Sequence, residues 1–297
     1  MTKREVKPKS QKKLFFGLFV FPLLIAVGMA VLLATIVFLT KEDETPESLI
    51  KAIKTGAPSK RWQKAFELSN ELNHEQGMIR SSGIMNDIIY ILNDADHHDT
   101  KTRSYMAMAL SRFRSVDAER ALVSALGKLD VNDETEFPIF LMWAIGSYEN
   151  PESAREVVRF LKSAHADIRK TAAYVLGTFS GCQSSEFKDG CWFDRDLKAA
   201  LEDSVDDVKW NAALSLTRIG DDSGWKVLTQ MLDRQYLKNT RQLNDLEIEP
   251  IMINAAKGLA LIQKSEAIPL LEEVSKSDSS LKVRQAALNA LNFKQAN

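Results

Sequence analysis

The sequence predicts an all-α fold: an α-solenoid of about seven helix pairs preceded by one transmembrane helix. Three observations carry this. The stretch from Leu14 to Leu39 holds no charged residue. From Thr45 onward, apolar residues recur at spacings of three and four, and no stretch alternates long enough to argue for a strand. A nine-residue block returns along the chain at intervals of 31–43 residues, a period at which helical repeats stack.

The apolar stretch comes first. Its helix would be about 39 Å long, more than the ~30 Å hydrocarbon core of a bilayer. A cleavable secretory signal is the competing reading, but such signals carry only about 7–15 apolar residues, and no clean small-x-small cleavage site follows here. Six bases precede the span (Lys3, Arg4, Lys7, Lys9, Lys12 and Lys13), and Lys41-Glu42-Asp43-Glu44 follows it. Basic flanks stay cytoplasmic, so the N-terminus is expected inside and the remainder outside. The expected organisation is a cytoplasmic basic tail over 1–13, a transmembrane helix over 14–39, a linker with a short helix over 40–58, and the solenoid over 59–297. In a bacterium this is a single-pass inner-membrane protein with a periplasmic or extracellular solenoid. Ala26, Ala30 and Ala34 recur every fourth residue, a small-xxx-small face on which another membrane helix can pack.

The soluble part opens with Thr45-Pro46-Glu47, an N-cap followed by proline and an acid in the first turn. Ile168-Arg169-Lys170-Thr171-Ala172-Ala173-Tyr174-Val175-Leu176 matches Val208 to Leu216 and again Val283 to Leu291. Weaker copies end at Leu110, Ile145 and Leu259, and a degenerate pair begins near Arg61. Between these blocks lie second amphipathic helices, as at Ala154 to Leu161 and Ala267 to Leu271. Two long spacings place insertions near 181–193 and 236–246, expected as loops.

The pattern V-R-x-x-A-A-x-A-L-G, a short Asp-rich turn and A-x-x-x-L-x-x-x-L resembles the HEAT-like repeat of the phycobilisome-lyase type over about residues 59–293. The resemblance implies stacked helix pairs whose alanines let neighbours approach while Leu and Ile fill the seam. Phe137-Pro138-Ile139 departs from the V-R start. The family includes bilin lyases and a di-iron hydroxylase. The hydroxylase uses several His-Glu dyads where this chain has His74-Glu75 alone, so that activity is not carried over. An exported solenoid also sits badly with cytoplasmic bilin attachment.

Catalytic chemistry finds little support. The chain has four His and two Cys, and neither a G-x-G-x-x-G nor a P-loop pattern. Asp94-Ala95-Asp96-His97-His98-Asp99 has ligand types suited to a transition metal, with His97 and His98 as the imidazoles. The same residues suit an inter-repeat turn whose Asp and Thr cap helices, and that reading is preferred. No metal and no cofactor is expected. Of the 39 bases and 40 acids, six bases and one acid fall within 1–40, leaving the rest at −6; so acidic a body disfavours nucleic acid.

A binding role remains: a membrane-anchored scaffold or accessory subunit that holds another envelope protein. The alternative is a ligand-sensing or substrate-recruiting subunit of a membrane complex such as a transporter, and a lyase-type or metal-dependent enzyme ranks below both. Aligned on their closing residues, the repeats place Met108, Trp143, Tyr174 and Leu214 in one column, with Ile139 and Trp210 in another one helical turn earlier. These six form an apolar, aromatic stripe expected to bind the partner; the rival reading is that the rings complete the core.

Cys182 and Cys191 lie inside the first insertion, and an exported domain favours their pairing. Closing so short a loop stabilises by roughly 2–3 kcal/mol in the chain-entropy model. Protein purified from its native compartment and denatured without reductant should show no reactive thiol. Two reactive thiols would defeat the pairing and, with it, the exported topology.

Overall fold

The computed structural model describes residues 16–40, 45–74, 82–179, 191–262 and 264–296. Two compact units divide the chain, Met1–Thr45 and Pro46–Asn297. In the first, α1 (Phe21–Thr40) continues from a π-helical turn at Phe16–Val20. Phe16–Ile36 is long and apolar enough to cross a membrane, and its side chains are exposed along nearly all of that length. The basic tail over 1–13 lies outside the described residues.

Every regular element described in the second unit is helical. The helices alternate between two layers. The A layer holds α2 (Pro46–Thr55), α4 (Ser82–Asn93), α6 (Val116–Gly127), α8 (Ala154–Val158, extended by a 3₁₀ turn at Arg159–Lys162), α10 (Asp194–Ala200), α12 (Trp225–Leu232) with α13 (Arg234–Asn239), and α15 (Ala267–Ser277). The B layer holds α3 (Pro58–His74), α5 (Thr100–Leu110), α7 (Phe137–Gly146), α9 (Ala166–Leu176), α11 (Asp206–Arg218), α14 (Asp245–Leu261) and α16 (Leu281–Ala296). Each B helix packs on the A helix before it and on the next B helix. These seven A–B pairs make an α-solenoid. The packed unit begins at Pro46, where α2 buries Leu49, Ile50 and Ile53, so the short helix before residue 59 is part of the same body.

The repeat residues explain the stacking. Leu110, Ile145, Leu176, Leu216, Leu259 and Leu291 are all buried, closing the seam between layers. Three residues before most of these anchors stands an alanine with no exposed surface: Ala107, Ala173, Ala213 and Ala256. Neighbouring helices approach closely near such points, B on B at Gly177 and A on B at Gly224. A Cβ on Gly177 would lie 2.7 Å from Ser215 Cα and against the Ser215 side chain, and one on Gly224 would lie 2.8 Å from Ala213 Cα. The Ser215 hydroxyl is buried in this contact and donates to the Ala173 carbonyl at 2.7 Å, so the close approach leaves no orphaned polar group. Charged groups tie repeats together as well. Arg169 holds Asp203 through two bonds, 2.7 and 3.0 Å, and Arg234 holds Asp278 through two of 2.8 Å.

Helix ends follow local rules. Asp99 caps α5 by accepting from the Thr102 amide, and Asn244 with Glu247 forms a capping box on α14. Gly220 has φ 82°; its amide donates to Thr217 and the Asp221 amide to Leu216, closing α11 in a Schellman motif. The insertion near 236–246 is not simply a loop. Asp233 accepts from the amides of Gln235 and Tyr236, nucleating α13, and Leu237 is buried with Ile248, Met252 and Val283. Most of the insertion near 181–193 lies outside the described residues.

Gly177 has φ −73°, which any residue adopts, so it is required for space alone. Gly177→Ala should therefore destabilise by about 1–3 kcal/mol, although alanine is the better helix former. Denaturant unfolding checks this; an unchanged or raised stability would show that α9 and α11 tolerate separation.

Candidate partner-binding face

The B helices carry the residues that the repeat alignment singles out, and Trp143 and Tyr174 among them share one face of the layer. Trp143 is the most open of them, 43% exposed, and its ring lies 4.8 Å from that of Tyr174 at 44°. The Arg218 guanidinium covers Tyr174, 4.9 Å from the ring centre. Three successive B helices thus share one stack, Trp143–Tyr174–Arg218. The remaining predicted residues are half-buried. Ile139 packs on the main core, and Met108 lies partly covered on α5. Leu214 fills the space above Gly258. Trp210 packs between two apolar clusters, beside Tyr236 and Ile251.

The same face holds rings that the sequence reading did not select. Phe66 meets Tyr105 edge-on at 5.3 Å, and Tyr105 meets Phe140 at 5.9 Å, spacings typical of favourable T-shaped pairs. Tyr105 and Phe140 both lie five residues before an anchor, so the alignment that found Trp143 contained them too. Lys101 covers the Trp62 ring at 3.4 Å nearby. Two hollows open further along the layer. One, about 420 Å³, is lined by Glu149, Tyr174, Thr178, Arg218 and Leu261. The other, about 570 Å³, lies between α14 and α16. Leu261, 42% exposed, lines both.

A third hollow of about 890 Å³ lies elsewhere, lined by α12, α13 and α15. Its central cation, Arg234, is engaged by Asp278 and by Asp245 at 3.0 Å, which leaves its charge satisfied.

The Asp94–Asp99 segment is a turn. Asp99 is occupied in capping α5, and Asp94 accepts from the His97 ring at 2.9 Å. The His97 side chain is 75% exposed while that of His98 is 4% exposed, with its Nε2 4.0 Å from Asp94. The two imidazoles therefore diverge, and among the described residues no group of three His, Cys, Asp or Glu converges to hold a metal ion. Cys191 is buried and disulfide-bonded; its expected partner Cys182 lies outside the described residues. Ala26, Ala30 and Ala34 lie along α1, exposed.

No family model and no curated protein matches the chain. Solved structures do. The complex of CpcE and CpcF of phycocyanin lyase from Nostoc sp. PCC7120 is 15% identical, with 86% of this chain and 96% of that one covered at a TM-score of 0.52. The fold is a HEAT-like α-solenoid. An archaeal HEAT-like repeat protein from Thermococcus onnurineus NA1 matches at 10% identity, TM-score 0.45, covering 86% of this chain and 99% of that one. A designed armadillo repeat protein matches at 14% identity, TM-score 0.41, covering 84% and 99%. At these identities the likeness concerns fold.

Burial first, and the nearby positive Arg61 second, hold the His98 imidazole below its ordinary pKa, against the pull of Asp94 and Asp99. The folded protein thus binds the proton less readily than the unfolded chain, so stability is lost as pH falls through the unfolded value of about 6.5. Thermal unfolding should occur at lower temperature at about pH 5 than at about pH 7.5, and His98→Leu should reduce that difference. An unaltered pH dependence in the variant would show that His98 does not carry it.

Proposed function

We propose that the chain is a membrane-anchored scaffold that holds another envelope protein against the B-layer face. The observation that carries this is Trp143: a large ring left 43% exposed at the middle of the solenoid and stacked on Tyr174, which itself borders a hollow with Arg218 and Leu261. Exposed apolar ground of this kind marks interaction sites, and Trp, Tyr and Arg are favoured anchors at their centres. Met108, Ile139, Tyr174, Trp210 and Leu214 border the anchor as its half-buried surround. The helix Phe16–Ile36 serves as the anchor in the membrane, with the bases before it retained in the cytoplasm and the solenoid exported. The Ala26, Ala30 and Ala34 face offers a second contact, helix to helix, within the bilayer. Cys182 and Cys191 close the first insertion in that oxidising compartment.

Trp143 and Trp210 separate under substitution. Trp143→Ala removes a ring left 43% exposed and should reduce recovery of the partner from crosslinked membranes by about tenfold or more while moving the unfolding midpoint little. Trp210→Ala opens space between two cores and should cost about 2–3 kcal/mol of stability, below the range for a fully buried ring because Trp210 is half-buried. Partner recovery unchanged by Trp143→Ala would remove the face from the binding surface.

A further inference from the structure

Aligned on the buried anchors, the B helices change character along the layer. Two residues before the anchor stand Met108, Trp143, Tyr174 and Leu214, and then Lys257 and Asn289. Five residues before it, Tyr105 and Phe140 give way at the far end to Ala286. The rings that fill the face in the earlier repeats are therefore missing from the last two, and the 570 Å³ hollow stands in their place. Its lining is small or apolar: Ala260, Ala286 and Ala290 along the two helices, with Ile253, Leu261 and Phe293 around them. Leu261 and Phe293 are 42% and 48% exposed.

We infer that this groove between α14 and α16 takes one amphipathic helix of the partner protein, whose apolar face is flanked by carboxylates. The inference rests on the scaffold reading above and names the partner's chemistry. Alanines between two helices let a third backbone come close, as the interior alanines do between repeats. The volume is in the range of a pocket that buries several side chains, and Leu261 borders both it and the 420 Å³ hollow. The polar groups that line it, Lys257, Lys282, Gln285 and Asn289, are all exposed; nothing polar is buried there to orient a small molecule, whereas apolar anchors at i, i+3 or i+4 and i+7 of a helix match such a trough. Charge decides the flanks. No acid lines the groove, its two charged residues are Lys257 and Lys282, and Lys257 has no ion-pair partner among the described residues. Lys282 is engaged by Glu249 at 2.8 Å at the edge. In a body of net −6 this is a local basic rim, and it selects acidic flanks.

The test uses the full-length protein in nanodiscs to select from a displayed library of helical peptides with randomised surface positions. The expected winners carry apolar residues at i, i+3 or i+4 and i+7 with Asp or Glu on the flanks. Their affinity should fall about tenfold with Ala286→Leu, which fills the groove, and about tenfold with Lys257→Glu. Ala260→Leu repeats the filling test from the other helix if the first variant fails to fold, as judged by circular dichroism. Winners with basic or uncharged flanks, or winners indifferent to both filling and charge reversal, overturn the inference. Winners that respond to Trp143→Ala alone overturn it while leaving the scaffold reading intact, and a library that yields no binder overturns both.

Discussion

Close approach of successive B helices is the constraint on which the rest depends. Each repeat must present a nearly flat strip to the next, and only small side chains supply one. The fully buried Ala107, Ala173 and Ala256 keep the B helices slender, Ala213 does so against Gly224 of the A layer, and at Gly177 even a methyl group would collide with the Ser215 backbone. The strip contributes little apolar area itself. Its effect is to bring the larger residues of both layers, such as Leu176 and Leu216, into one continuous core. The inter-repeat ion pairs lie where this packing leaves polar ends. Asp203, held by Arg169, has its carboxyl kept below the usual range by that bond first and by the Val205 amide in addition.

The same constraint sorts the large side chains. With the strip reserved for Ala, Gly and Ser, several rings on the B helices lie at the edge of the core, half-buried against it and against one another. The Phe66–Tyr105–Phe140 series and the Trp143–Tyr174–Arg218 stack result. A surface made this way is rigid and apolar without being part of the core, and rigid aromatic ground of low side-chain entropy suits protein recognition. Where the rings stop, at α14 and α16, the smaller Ala260, Ala286 and Ala290 line a trough in place of the stack.

The repeat was legible because stacking imposes it on each copy. The anchors at Leu110 through Leu291, the alanine strip and the Schellman glycine Gly220 are local consequences of sequence, and all lie where the periodicity puts them. Trp210 was harder to read. Its column marked it as outward, yet α13, formed from an insertion outside the repeat, brings Tyr236 and Leu237 beside it, and Ile251 completes the cover. No period within the repeat encodes a contact made by residues the period skips. The Phe66–Tyr105–Phe140 series escaped because Phe66 belongs to a degenerate first copy, and Phe140 follows a proline start that blurs the register. The exposed Leu261 and Phe293 lie after the anchors, beyond the residues from which the columns were drawn.

The account's central claim is that partners are held on the B-layer face. Site-specific photocrosslinking in intact membranes tests it most directly, with the crosslinker placed at Trp143, Tyr174 or Leu261 on that face and at the exposed Val116 and Lys162 of the A layer. The account predicts a discrete adduct from the first three positions and none from the last two. An adduct from Val116 or Lys162, with none from Trp143, Tyr174 and Leu261, would contradict it.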